Sequence, residues 1–103
     1  MISIIIINYN VKFFIKECIN SILESIELEN YEIIVVDNYS YDGSVEMLKN
    51  EFSNLKIIEN PKNLGFSAAV NIGIKNSSGD YICLINPDTL IKEDTLKVLK
   101  KYL

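Results

Sequence analysis

The sequence contains no histidine. Catalytic triads with an imidazole base, and metal centres built on imidazole nitrogens, are therefore excluded. Cysteine is nearly as scarce: Cys18 and Cys83 each sit inside an apolar run and form no C-x-x-C pair. That usage fits buried free thiols in a reducing compartment and gives no disulfide framework. No block of like charge, internal repeat, linker or low-complexity stretch interrupts the chain. Acidic residues outnumber basic ones by 14 to 10, for a formal net charge of −4. A general nucleic-acid binder would carry a basic patch, so no nucleic-acid partner is expected. No apolar run is long enough to span a bilayer, and the run after Met1 lacks the basic leader of a signal peptide. A cytoplasmic protein is the expectation.

Familiar nucleotide-binding signatures are missing too. A dinucleotide fold would place G-x-G-x-x-G after the first strand, where this chain has Asn8-Tyr-Asn-Val-Lys-Phe13. No P-loop occurs, and the first strand does not end in the clustered acids expected of a phospho-receiver domain.

What is present is 103 residues, 49% of them hydrophobic, enough for one small domain with a single core. Ile2 to Ile7 is β-branched almost throughout and reads as a central strand. After Asn8-Tyr9-Asn10, where Asn10 is a candidate helix cap, residues Val11, Phe14, Ile15, Cys18, Ile19, Ile22, Leu23 and Ile26 recur at helical spacing. Tyr31 to Val36 is a second buried strand, closed by Asp37-Asn38. The loop from Tyr39 to Ser44 reads as an Asp42-Gly43 turn with Ser44 as cap for a helix carrying Val45, Leu48 and Phe52. Leu55 to Ile58 is a short strand, and Phe66 to Asn76 a helix with Ala69, Val70, Gly73 and Ile74 on one side. Tyr81 to Ile85 reads as a strand buried on both faces, and Glu93 to Leu103 as a last helix. Strands and helices thus alternate, which predicts an α/β fold: a four-stranded parallel sheet, order 3-2-1-4, with helices on both faces. The last helix reaches Leu103 without a stop signal, and a strand edge beside the fourth strand is left bare. The expectation is a front half of a larger domain, or a second copy pairing at that edge as a homodimer.

In such sheets ligands bind outside the carboxyl ends of the strands. That rule gathers Asn8 to Asn10, Asp37-Asn38 and Asn86 to Asp88 around one crevice. Pro87 has no N–H for the ladder, so Asp88 leaves the sheet on a short loop. A carboxylate there suits a hard divalent ion shared with phosphates, and it equally suits a turn capping the next helix. Asp37 is placed to accept the imide N–H of uracil or thymine, or to stabilise its own turn. Asn63-Leu-Gly-Phe-Ser-Ala-Ala-Val-Asn71 puts Gly65 before a helix start, a ready phosphate site, while Ala68 and Ala69 also suit close packing on the sheet.

Together the segments Ile4-Ile-Ile-Ile-Asn-Tyr-Asn10, Ile33-Ile-Val-Val-Asp-Asn38, Ser40-Tyr-Asp-Gly-Ser44, Asn63-Leu-Gly-Phe66 with Ala69-Val-Asn71, and Leu84-Ile-Asn-Pro-Asp-Thr89 resemble the start of a family 2 glycosyltransferase of the GT-A fold. Asn-Pro-Asp in place of the usual Asp-x-Asp resembles its rhamnosyltransferase-like branch. The resemblance implies a Rossmann-like half that binds a UDP- or dTDP-sugar. Asn8, Tyr9, Asn10, Asp37 and Asn38 would line the base and ribose pocket. Gly65 and Asn71 would approach the nucleotide, and Asn86 would hydrogen-bond the ribose or sugar. Asp88 would bind Mg²⁺ or Mn²⁺ at the diphosphate. Tyr41 stands where the family commonly has Thr. The acceptor site and catalytic base of the family follow the metal motif, so residues 1–103 would be a donor-binding half with little activity alone. A lipid-linked acceptor would bring peripheral contact with a membrane.

Overall fold

The computed structural model describes residues 1–25 and 30–89. Ile26 and the helix expected over 93–103 lie outside the described residues. The elements are β1 (Ile2–Asn8), α1 (Lys12–Ser25), β2 (Tyr31–Asp37), α2 (Ser44–Glu51), β3 (Leu55–Glu59), α3 (Phe66–Lys75) and β4 (Tyr81–Leu84). The strands form one parallel sheet in the order β3-β2-β1-β4, as the alternating pattern predicts.

The sheet has apolar layers on both faces because β1 and β2 are apolar at nearly every position. Ile4, Ile6, Ile33 and Val35 point to one face and pack with Ile15, Cys18, Ile19 and Ile22 of α1 and Leu48 of α2. Ile5, Ile7, Ile34 and Val36 point to the other and pack with Ala69 of α3. Period-two alternation of side chains assigns each residue to its face. Gly73 sets how closely α3 approaches: a Cβ there would lie 2.8 Å from Ile5 Cγ2.

The fourth strand departs from expectation. Tyr81, Ile82 and Leu84 are 46%, 42% and 44% exposed, so β4 is not buried on both faces. It pairs with β1 alone, and among the described residues it is an edge. Its backbone pairing ends where Ile85 N donates to Ile5 O at 3.0 Å, before Pro87.

Two expected caps also differ. Asn10 does not cap α1; Lys12 N instead donates to Asp42 Oδ2 at 3.0 Å. Ser44 does not cap α2 with its side chain; its backbone N donates to Asp42 Oδ1, also at 3.0 Å. One carboxylate therefore serves two helix N-termini, where the helix dipole favours negative charge. Burial works to raise the Asp42 pKa, but the hydrogen bonds from Ser44 and Lys12 outweigh it and hold the carboxyl below its ordinary value.

Candidate functional site

The carboxyl ends of β1 and β2 lie side by side, with Asn8 in register with Asp37. Register decides the role of both side chains. Asn8 Nδ2 donates to Asp37 Oδ1 at 2.8 Å and to Ser44 Oγ at 2.7 Å, with Ser40 Oγ at 3.2 Å. Asp37 Oδ2 accepts from Ser40 N at 3.0 Å. Asn8 is fully buried and Asp37 is 3% exposed. A buried carboxylate needs such donors, and here they come from its own fold. Each oxygen of Asp37 accepts one hydrogen bond from the fold, so the side chain holds the loop, and it also borders the larger cavity described below. Asn8 is likewise a buried tie between strand and loop.

Asn38 extends the same network sideways. Its Nδ2 donates to Gly65 O at 3.1 Å, and its Oδ1 accepts from Asn60 Nδ2 at 2.9 Å. The end of β2 is thereby fastened to the loop that starts α3. Asn63 Oδ1 accepts from Gly65 N at 2.9 Å and shapes that loop from within.

Two cavities open at this edge of the sheet. The smaller, about 400 Å³, is lined by Tyr9, Asn38, Asn63, Gly65, Phe66, Asn86 and Pro87, with Ile7 and Val11. The larger, about 790 Å³, is bordered by Asp37, Tyr39, Ser40, Tyr41, Lys49, Glu59 and Asn60 among others. Both fall in the range of small-molecule sites. In the larger, Lys49 Nζ is paired with Glu59 Oε2 at 2.8 Å, and Asp37 and Glu46 add two further carboxylates to the lining. The smaller brings together four residues the sequence singles out: Tyr9, Asn38, Gly65 and Asn86. Asn10 and Asn71 line neither cavity; Asn71 is exposed on α3.

Asp88 stands beside the smaller cavity rather than in it. Thr89 N donates to Asn86 O at 3.0 Å, closing a turn over Pro87 and Asp88. Asp88 is exposed in that turn. The turn is held from below by Cys18, whose Sγ lies 3.7 Å from Asn86 O as donor. Burial, and then the nearby Asp88 charge, push the Cys18 thiol up to about 11, so it stays protonated. Among the described residues no group of three or more acidic or thiol side chains is arranged to hold a metal. One exposed carboxylate still fits a Mg²⁺-type site, in which substrate phosphates and waters complete the shell. Sequence reasoning missed Asn63 and Phe66 as lining residues and the roles of Ser40 and Ser44. The Asp37-x-x-Ser40 spacing, a side-chain-to-backbone turn, is the signal that would have found Ser40.

The sequence model of glycosyl transferase family 2 matches residues 3–103. Glycosyltransferase GlyA of Streptococcus pneumoniae is 36% identical over 103 residues, covering 97% of this chain and 14% of that protein. The poly(ribitol-phosphate) beta-glucosyltransferase of Bacillus spizizenii is 37% identical over 100 residues, covering 92% of this chain and 16% of the relative. The crystal structure of S. aureus TarS 1-349 in complex with UDP-GlcNAc superposes with a TM-score of 0.90 at 26% identity, over 98% of this chain and 30% of that one. The mannosyltransferase PcManGT of Pyrobaculum calidifontis, in complex with GDP-Man and Mn²⁺, gives 0.89 at 26% identity, over 99% and 32%.

Proposed function

For a chain that belongs to glycosyl transferase family 2, we propose that residues 1–89 form the site for a nucleotide-diphosphate sugar, a UDP- or dTDP-sugar. The observation that carries this reading is the convergence of Tyr9, Asn38, Gly65 and Asn86 on one cavity beside the Asp88 turn. The nucleoside enters this cavity, with its base against the Tyr9 ring and its ribose or sugar toward Asn86. Asp37 and Asn8 hold the walls and make no direct contact. Asn10 and Asn71 are assigned no contact with the donor.

A divalent ion, Mg²⁺ or Mn²⁺, bound by Asp88 would neutralise the diphosphate and so stabilise it as a leaving group. The relatives support this: TarS is described with UDP-GlcNAc, and PcManGT with GDP-Man and Mn²⁺. The chain spans less than half the length of the curated relatives it matches, 14% and 16% for the two described above. Transfer to a saccharide or lipid-linked acceptor also needs a base for the acceptor proton and walls against water. We assign those to groups outside residues 1–103, in a reaction placed in the cytoplasm. Amide NMR with added UDP tests the site: shifts are expected at Tyr9, Asn38, Gly65 and Asn86. Shifts scattered over the N-terminal ends of the strands would reject it.

A second reading, self-association, is favoured by the exposed Tyr81, Ile82 and Leu84 on the β4 edge. It predicts a mass that rises with concentration, and a constant monomer mass would remove it.

A further inference from the structure

The Tyr9 ring lines the smaller cavity yet is 42% exposed, so the wall of the cavity does not hold it alone. It also pairs with Tyr41, whose ring centroid lies 6.3 Å away at an interplanar angle of 84°. Aromatic rings attract in this edge-to-face arrangement because the positive edge of one meets the negative face of the other. The pair joins two loops that are distant in sequence, one following β1 and the other following β2. These loops are clasped by two reciprocal hydrogen bonds: Asn10 N donates to Ser40 Oγ at 3.0 Å, and Tyr41 N donates to Asn10 Oδ1 at 2.8 Å.

Each side of the clasp also carries a non-glycine residue in the left-handed region, Asn10 at φ 52° and Tyr39 at φ 70°. That conformation is costly for Tyr, and such costs persist where surrounding contacts over-determine the backbone. The backbone on both sides is therefore fixed, and Tyr41, although 80% exposed, starts from a pinned amide.

We infer that Tyr41 is a positioning residue: it sets the tilt of the Tyr9 ring, and through it the affinity for a ligand that carries a flat base. The inference rests on the nucleotide reading above and adds to it a residue that need not touch the ligand. A Thr in this place offers no ring to Tyr9. Tyr41 borders the larger cavity and not the smaller one, so its reach into the smaller is through Tyr9.

The test compares the wild-type chain with Tyr41→Thr and Tyr41→Phe. Tyr41→Thr is expected to weaken UDP by about two- to tenfold, the size of one aromatic pair. Tyr41→Phe keeps the ring and is expected to keep the affinity. Inorganic pyrophosphate, which has no base, should bind all three proteins alike. In the absence of ligand, the Tyr9 aromatic resonances should move in Tyr41→Thr and stay close to wild type in Tyr41→Phe. Equal UDP affinity in Tyr41→Thr and wild type would overturn the inference, as would an equal loss for pyrophosphate. If the wild-type chain binds no UDP, the nucleotide reading fails and the Tyr9 resonances judge the ring contact by themselves. Unmoved in Tyr41→Thr, they overturn it.

Discussion

Replacing Asn8 by Asp changes one buried NH₂ into an oxygen and tests the loop-holding role of Asp37 directly. Asn8 Nδ2 is 2.8 Å from Asp37 Oδ1, and two ionised carboxylates at that distance repel by about 6 kcal/mol at an effective dielectric near 20. The variant avoids most of this by keeping a proton on the pair. Its folded-state pKa is thereby raised above the unfolded value of about 3.9. A raised folded pKa means stability that is present below the unfolded pKa and lost as pH rises toward the folded one. Relative to wild type, Asn8→Asp should lose about 1.4 kcal/mol per pH unit above about pH 4, until the shared proton leaves. Urea denaturation at several pH values between 4 and 8 measures this slope. Asn8→Ala is the control: it removes the donor to a buried carboxylate, at about 2–4 kcal/mol, without adding a second carboxylate, so its slope should be the shallower. A cost for Asn8→Asp that stays constant across this range would show that the two side chains do not share a buried site.

Three further outcomes follow from the geometry. A Cβ at Gly79 would lie 2.6 Å from Ser3 Oγ and 2.8 Å from Met1 O, so Gly79→Ala should cost about 1–3 kcal/mol. A melting temperature within a degree of wild type would contradict that packing. Tyr39 is 61% exposed at φ 70°, so Tyr39→Asn should raise stability by up to about 1 kcal/mol, seen as a higher denaturation midpoint. A lower midpoint would mean that contacts of the Tyr39 ring outweigh the backbone cost. Burial works to raise the pKa of Glu32, but hydrogen bonds from Ser3, Ser78 and Gly79 and the Lys56 charge outweigh it and hold the carboxyl below its ordinary value of 4.5. A depressed folded pKa gives stability above the ordinary value that is lost as pH falls below it. Glu32→Gln should therefore flatten the acid limb of the stability profile below about pH 4.5, and an unchanged limb would rule Glu32 out as its source.

The sheet was legible because β1 and β2 are apolar at almost every position, which only a layer of helices on each side can accommodate. The alternation of elements and the handedness of crossovers restricted the strand order to a few, of which 3-2-1-4 is the one the chain adopts. β4 was misjudged for a physical reason. An apolar run tells what its own side chains prefer, and it does not tell which strand lies beyond. The caps failed similarly, since the group that meets Lys12 N comes from Asp42, a loop that joins it only in the folded chain. At the site, strand ends pointed to the edge of the sheet where the two cavities open. That Asp37 is bonded to Asn8 depended on Asn8 standing opposite it, a matter of register. Asn63 and Phe66 were hidden because nothing in a loop's sequence states which of its side chains border a cavity.

The most direct measurement is calorimetric titration of UDP and dTDP into the folded chain, with and without Mn²⁺, for wild type and for Asp88→Ala. Metal-dependent binding is predicted, weakened by about ten- to hundredfold in Asp88→Ala, the loss of one charge-assisted contact. No binding by the folded wild-type chain at millimolar nucleotide, or binding indifferent to both Mn²⁺ and Asp88, would contradict a donor site at the carboxyl edge of this sheet.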